Sequence, residues 1–193
     1  MQSTVVQRSA SLPKADDPAL TPAGELSCPL SAVAVVNSLL QRAFREGRTD
    51  MTPVKVQKML FFLNGWHLAI TGSSCIDRPF EAWKYGPVVP SVYHGLKQYG
   101  GGPVTEYLTD YDPVSESFKP YVVSDSQQQF HEILDLTWEK YIGIDAAHLS
   151  TMSHTPDSPW ATAQKNGSTI ISDDITKTYF IGLARPARTT RNP

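Results

Sequence analysis

Apolar residues recur every three or four positions after Thr52, in the segment of the chain with the clearest helical pattern. Thr52 is a favourable N-cap residue, and Pro53 suits the first helical position because that position needs no amide donor. Gly72 follows the last apolar residue of the pattern and permits the left-handed conformation in which helices commonly end. We therefore predict a helix of about five turns between these residues. Its apolar face contains Val56, Met59, Leu60, Leu63, Trp66, His67 and Ile70.

Three polar residues of this helix are expected to lie outside its apolar face. Lys55, Lys58 and Asn64 fall largely off the apolar face. Trp66 lies on that face, and replacing a core tryptophan with alanine costs about 3–5 kcal/mol. A core position for Trp66 thus predicts a loss of that size for Trp66→Ala.

A short strand, a turn and a second helix follow. Residues 80–85 alternate large and polar side chains, as a half-buried strand does. Gly86 and Pro87 are predicted to break this strand and form a turn. Pro90 then opens a helix, and the three glycines at 100–102 close it.

The same reasoning predicts helices in the rest of the chain. A hydrophobic pattern of period 3.6 is the signal for each of them, and the N-cap Ser172 marks the start of the last. The predicted segments are residues 30–46, 126–141 and 145–152, a short helix that starts within 156–160, and a final helix after Ser172.

Short strands are also predicted after the glycine triplet. Residues 104–108 and 118–123 have strand-like composition, and residues 110–116 between them read as a turn. Together with residues 80–84 they are predicted to form a small sheet. The fold class predicted for the whole chain is mainly α (α+β), a compact bundle of about six to seven helices with a small antiparallel β-sheet or hairpin.

Composition indicates one globular domain with polar ends. The chain has 193 residues, of which 40% are apolar and 19% are charged, and its net charge is −2. Such a length is usual for a single domain, and the charge gives no reason to expect a nucleic-acid partner. Residues 1–27 are rich in Ser, Pro, Ala, Thr and Asp, so we predict a flexible N-terminal arm there. The folded domain is predicted at 28–184 and a basic C-terminal tail at 185–193.

Cysteine usage and hydropathy predict a cytoplasmic location. Cys28 and Cys75 are too few and too far apart for a disulfide framework or a zinc knuckle, which favours a reducing compartment. The N-terminal residues lack the apolar core of a signal peptide, and no apolar stretch approaches the roughly 18 residues that a membrane span needs. We therefore expect no membrane partner.

No familiar catalytic or metal-binding constellation is visible in the sequence. The five histidines do not occur in a metal-ligand spacing, and the chain has neither a GxSxG motif nor a phosphate-binding glycine loop. We therefore predict no catalytic residue, no metal site and no cofactor. One enzymatic alternative stays open, a hydrolase whose site uses His154 with Asp157 or His148 near Trp160.

Aromatic residues around the predicted Gly86-Pro87 turn allow two interpretations. Large aromatic side chains commonly fill cores, so packing is the first. The second is an exposed edge that binds another protein, since Tyr and Trp dominate the energetics of protein interfaces. The residues predicted to bind a partner are Trp83, Lys84, Tyr85, Gly86, Pro87, Val88 and Tyr93.

Several motifs together closely resemble those of the Panacea antitoxin domain, a family that includes SocA-like antitoxins and phage-associated GepA-like proteins. The resemblance covers about residues 30–183, and the segment AWKYGPVVP is its most specific part. The motifs are residues 56–62 (VQKMLFF), 65–69 (GWHLA) and 80–90 (FEAWKYGPVVP), then Val92, Tyr93, Leu96, Leu149, Ser150, 153–155 (SHT), Trp160, Ile171, Ser172, Tyr179 and Phe180.

This resemblance implies a mostly helical, non-enzymatic domain that neutralises the toxin of a toxin–antitoxin pair by direct binding. It implies a cognate protein toxin as partner, and a protease or chaperone as a further candidate. The alternative hypothesis is a mobile-element or phage-associated interaction module that binds a host protein without a toxin partner. The hydrolase is the third hypothesis.

Overall fold

The computed structural model describes residues 21–23 and 29–185; the rest of the predicted arm and the predicted tail beyond Arg185 lie outside the described residues. The helices are α1 (Ala32–Arg45), α2 (Pro53–Thr71), α3 (Pro90–Leu96), α4 (Gln128–Tyr141), α5 (Ala146–Ser153), α6 (Pro159–Lys165) and α7 (Asp173–Ala184). The strands are β1 (Thr21–Ala23), β2 (Glu81–Trp83), β3 (Gly86–Val88), β4 (Asp110–Asp112), β5 (Ser117–Lys119) and β6 (Tyr121–Val123). Within these ranges, no helix combines the length and the apolar character that crossing a membrane requires.

The predicted mainly-α, α+β fold class is confirmed. α2 packs against α4, α5 and α7 and also contacts β3, so it lies at the centre of the bundle. The predicted caps form as expected, because the side chains of Thr52 and Ser172 accept hydrogen bonds from the backbone amides of Lys55 and Ile175. Gly72 ends α2 in the left-handed conformation, at a φ of +87°. Local sequence signals therefore place the ends of these helices correctly.

Lys55, Lys58 and Asn64, which are predicted to lie largely off the apolar face of α2, are nevertheless buried. Each of the three is only 1% exposed, because α2 is surrounded by other elements on all sides. Their polar groups find partners inside the protein. The Lys55 ammonium lies 2.6 Å from a carboxylate oxygen of Asp50, and the Asn64 carbonyl accepts a hydrogen bond from the amide of Cys75 at 2.9 Å.

The C-terminal end of α2 is more exposed than its apolar pattern predicts. Ile70, predicted to face inward, is 52% exposed, so this part of the prediction is wrong. Trp66 is half-buried. Its indole N–H donates to the hydroxyl of Tyr141 at 3.0 Å, and its ring makes an edge contact with Phe180 at 5.2 Å. Trp66 therefore lies at the margin of the core.

We expect Trp66→Ala to lower the free energy of unfolding by about 2 kcal/mol, below the 3–5 kcal/mol of a fully buried tryptophan. The loss reflects the half-buried ring and its bond to Tyr141. Urea denaturation would measure it. Ile70→Ala is the matched control and should cost less than about 1 kcal/mol; an equal loss in the two variants would contradict the assignment of Trp66 to the core margin.

The strands form three separate pairs in place of the predicted small sheet. β2 pairs with β3 and β4 with β5, both antiparallel, while β6 pairs in parallel with β1.

Residues 104–108 form no strand, and β4 occupies the start of the predicted turn at 110–116. The Asn37 side chain takes the place of a strand partner, since it donates to the carbonyl of Leu108 at 2.8 Å and accepts from its amide at 2.9 Å. Pro120, which has no amide hydrogen, separates β5 from β6.

The predicted turn at Gly86 and Pro87 is wrong, because both residues belong to β3. Trp83 pairs with Gly86, so the chain reverses at the two residues 84–85. Gly86 has a φ of +106°, a conformation that glycine adopts without strain and that suits the residue after a tight turn. We call residues 81–88 the aromatic hairpin.

Candidate functional site

A groove of about 860 Å³ lies between the aromatic hairpin, the first turns of α2 and the helices α3 and α5. Its walls are mainly apolar and aromatic, with lysines among them. Outside the hairpin, these walls include Val54 and Lys58 of α2, Tyr93 and Leu96 of α3, and Ala147 of α5. We refer to this cavity as the groove.

The structure brings the predicted partner-binding residues together at this groove. Those that line it are Trp83, Lys84, Tyr85, Val88 and Tyr93. Tyr85 is 74% exposed and Tyr93 is 42% exposed, so both rings are accessible. Gly86 and Pro87 are buried within β3. The first group could touch a partner, whereas Gly86 and Pro87 support the hairpin.

Two polar side chains of α2 hold the aromatic hairpin from below. The amide of Gln57 donates to the carbonyl of Val89 at 3.1 Å and accepts from its backbone N–H at 3.0 Å. The Lys58 ammonium donates to the carbonyl of Tyr85 at 2.8 Å, and it lies 3.5 Å from the carbonyl of Pro87. These bonds satisfy backbone groups in the turn and in the residues that follow it.

The opposite edge of the hairpin is tied to α6 and to the segment after it. The indole N–H of Trp160 donates to the carbonyl of Trp83 at 2.7 Å. The carbonyl of Ala82 accepts from the side chain of Gln164 at 2.5 Å, and its amide donates to the carbonyl of Thr169 at 2.7 Å. Because the hairpin is fixed on both sides, little ordering entropy would be lost when a partner binds it.

Little space is left around Gly86, so a Cβ atom there would force neighbouring side chains to move. A Cβ atom at this position would lie 2.2 Å from the ammonium of Lys58 and 2.8 Å from Cε1 of His154. The positive φ of Gly86 adds a conformational penalty for any other residue. Gly86 thus lies where α2, the hairpin and the end of α5 pack closely together.

Lys58 places a positive charge at the floor of the groove. Burial lowers the pKa of its ammonium from 10.5 to about 8, since the charged form loses contact with water. The side chain is therefore still mostly protonated at neutral pH. Sequence reasoning missed Gln57 and Lys58 as site residues; the available signal was their polarity within a helix that is otherwise apolar on nearly every side.

Ring contacts hold the aromatic side chains of the groove in position. Trp83 makes an edge contact with Tyr93 at 4.9 Å, and its indole N–H donates to Glu81 at 2.6 Å. The ammonium of Lys84 lies 5.3 Å from the centre of the Tyr85 ring, within cation–π range. This surface is therefore formed before any partner arrives.

Of the residues of the hydrolase alternative, His154 and Trp160 are engaged in packing beneath the hairpin. Nδ1 of His154 lies 2.5 Å from the carbonyl of Ser150, and the His154 ring lies 4.1 Å from that of Trp160. Asp157 and His148 are exposed. In the part of the chain that the structure describes, no group of three or more His, Cys, Asp or Glu residues could hold a metal ion. Nδ1 of His154 also lies 3.1 Å from the hydroxyl of Ser153, but Ser153 is buried and its hydroxyl donates to the carbonyl of Ser150 at 2.7 Å.

Comparison with known proteins assigns the chain to a family. The family model described as "Antitoxin SocA-like, Panacea domain" matches residues 56–161, more than half of the chain. The chain is also similar to "Antitoxin SocA" of Caulobacter vibrioides (strain NA1000 / CB15N), with 29% identity over 131 residues that cover 68% of this chain and 69% of the relative. No solved structure matches significantly. The matched region contains most of α2, the aromatic hairpin, α3, α4, α5 and the first residues of α6.

Proposed function

The chain belongs to the family of SocA-like antitoxins with a Panacea domain, and we propose that it is the antitoxin of a toxin–antitoxin pair. In this proposal it neutralises a cognate protein toxin by direct protein–protein binding in the cytoplasm, without catalysing a reaction. The single observation that carries the proposal is the family match, which includes most of the residues that line the groove. The relative from Caulobacter, itself named an antitoxin, gives further support.

The geometry supports binding through the groove. Exposed Tyr85 and Tyr93 and the half-buried Trp83 are residue types that supply most of the energy in protein interfaces. Hydrogen bonds from α2 and α6 hold the backbone of Tyr85 and Trp83 in place. A stable complex buries roughly 1,600 Å² in total, so the toxin would also contact surface around the groove.

Co-expression with the neighbouring reading frame tests this function. Induction of the neighbour alone should arrest growth of the host, and induction together with this chain should restore it. A neighbour that is harmless alone, or one that stays toxic beside this chain, would contradict the proposal. A harmless neighbour combined with capture of a host protein would support the alternative, an interaction module without a toxin.

We expect Tyr85→Ala to weaken toxin binding about tenfold or more, because the variant removes a large exposed ring from the centre of the proposed contact surface. The free energy of unfolding should change by less than about 0.5 kcal/mol, since the side chain is 74% exposed. Titration calorimetry with the purified toxin would measure the dissociation constant.

Tyr111→Ala is the matched control for this variant. Tyr111 is 52% exposed on β4, and it does not line the groove. Its replacement should leave toxin affinity unchanged. Equal losses of toxin affinity in Tyr85→Ala and Tyr111→Ala would mean that the toxin binds outside the groove. They would not contradict the growth test.

A protease or chaperone that receives the bound toxin is the second partner we propose. Pulse–chase measurement of toxin lifetime, with and without this chain, would test it. A shorter lifetime in the presence of the chain supports delivery to a protease, and an unchanged lifetime contradicts it.

A further inference from the structure

Charge is distributed unevenly around the groove. Lys58 lines its floor, and the exposed residues Lys84 and Lys97 line its rim. No aspartate or glutamate is among the groove-lining residues in the described part of the chain. The groove therefore combines apolar walls with one sign of charge, although the whole chain carries a net charge of −2.

Acidic residues that neighbour the groove-lining segments are already bonded within the protein. A carboxylate oxygen of Asp50 lies 2.6 Å from the ammonium of Lys55. Glu81 accepts the indole N–H of Trp83 at 2.6 Å, and Asp145 accepts the amide of His148 at 2.8 Å. In the described residues, no salt bridge joins an acidic side chain to Lys58, Lys84 or Lys97. The positive charge of these three lysines is therefore not neutralised by a carboxylate, although the Lys58 ammonium donates to the carbonyl of Tyr85.

The backbone adds to this positive potential. The first residues of α2 and α5 both border the groove, at Pro53–Val54 and Ala146–Ala147. The N-terminus of a helix carries a partial positive charge, which favours anions nearby. The carboxylate of Asp145 caps the start of α5, so the start of α2 and the three ammonium groups are what act in the same direction.

We infer that the groove receives an apolar segment of the toxin that carries a carboxylate, with the carboxylate drawn to the ammonium groups of Lys58, Lys84 and Lys97. The inference rests on the proposed antitoxin function and names the chemistry of the toxin surface that this chain recognises. Aromatic and aliphatic side chains of the segment pack on Trp83, Tyr85 and Tyr93. The carboxylate supplies the counter-charge that the groove lacks.

Charge reversal at the rim gives the first test. Lys84→Glu and Lys97→Glu should each weaken binding of the purified toxin about tenfold, and the double variant should lose the salt dependence of the dissociation constant. Lys165→Glu is the matched control, because Lys165 is exposed on α6 and does not line the groove. Equal weakening in the control and the rim variants overturns the inference.

A second test needs no toxin and so separates this inference from the proposed function. The probe is anilinonaphthalene sulfonate, an anionic aromatic dye, and its control is phenylnaphthylamine, which has the same aromatic frame without the charge. The full-length protein should bind the anionic dye at least tenfold more tightly than the neutral one, and Lys97→Glu should remove that preference. Equal binding of the two dyes overturns the inference.

Displacement of the bound dye identifies the occupant. The toxin should release the dye, and a toxin in which acidic residues of the contact segment are changed to amides should release it less readily. Release by self-association of this chain at rising concentration, or by a single-stranded oligonucleotide, overturns the inference in favour of a second copy or a nucleic acid. A toxin that binds tightly yet leaves the dye in place overturns the inference and leaves the antitoxin function standing.

Discussion

Gly86→Ala is expected to lower the free energy of unfolding by about 3–5 kcal/mol and to reduce toxin binding. Two costs add at this position. The φ of +106° strains any residue with a Cβ atom, and that atom would lie 2.2 Å from the Lys58 ammonium. The lysine would have to move away from the carbonyl of Tyr85, which leaves a buried charge poorly solvated. Urea denaturation measures the first effect and calorimetry with the toxin the second.

Gly47→Ala separates the backbone cost from the contact cost. Gly47 also has a positive φ, +64°, but a Cβ atom there would meet nothing within 4 Å. We expect this control to lose only about 1 kcal/mol and to keep full toxin affinity. If Gly86→Ala were no more destabilising than Gly47→Ala, the close packing of Lys58 beneath the hairpin would be contradicted.

Lys58 is expected to make the protein more stable as the pH rises from about 8 to 10.5. Its pKa is about 8 in the folded protein and 10.5 when the side chain is solvated, so the unfolded chain binds more protons across this interval. Stability rises with pH wherever the unfolded state binds more protons. At about 1.4 kcal/mol per pKa unit, the free energy of unfolding rises by about 3 kcal/mol across this interval. None of this gain is present below pH 8.

Lys58→Met isolates the contribution of Lys58 to the pH dependence of stability. The other titrating groups are the same in both proteins, so their contributions cancel when the free energies of unfolding are compared at each pH. The free energy of unfolding of the natural protein should gain about 3 kcal/mol relative to the variant between pH 8 and 10.5. Lys165→Met, at an exposed lysine, should show no such divergence. A constant difference between natural protein and Lys58→Met across this range would contradict the lowered pKa of Lys58.

The position of the turn in the aromatic hairpin shows where local reasoning fails. Gly86 and Pro87 are strong turn residues in most contexts, yet the chain reverses two residues earlier, at 84–85. Glycine is needed here after the turn, to provide the positive φ and to leave room for Lys58. The requirement comes from α2, which is distant in sequence, so the dipeptide alone misplaces the turn.

The amino-acid sequence by itself determined the helix order, the main caps, the fold class, the family and the residues of the aromatic surface. These follow from signals that are local, such as Thr52 and Ser172 at helix starts, or from motifs that are contiguous, such as residues 80–90. Only the tertiary structure decided that Lys58 is buried, that Ile70 is exposed and that the groove exists. Burial depends on which elements surround a side chain, and those that enclose Lys58 come from segments far away in the sequence.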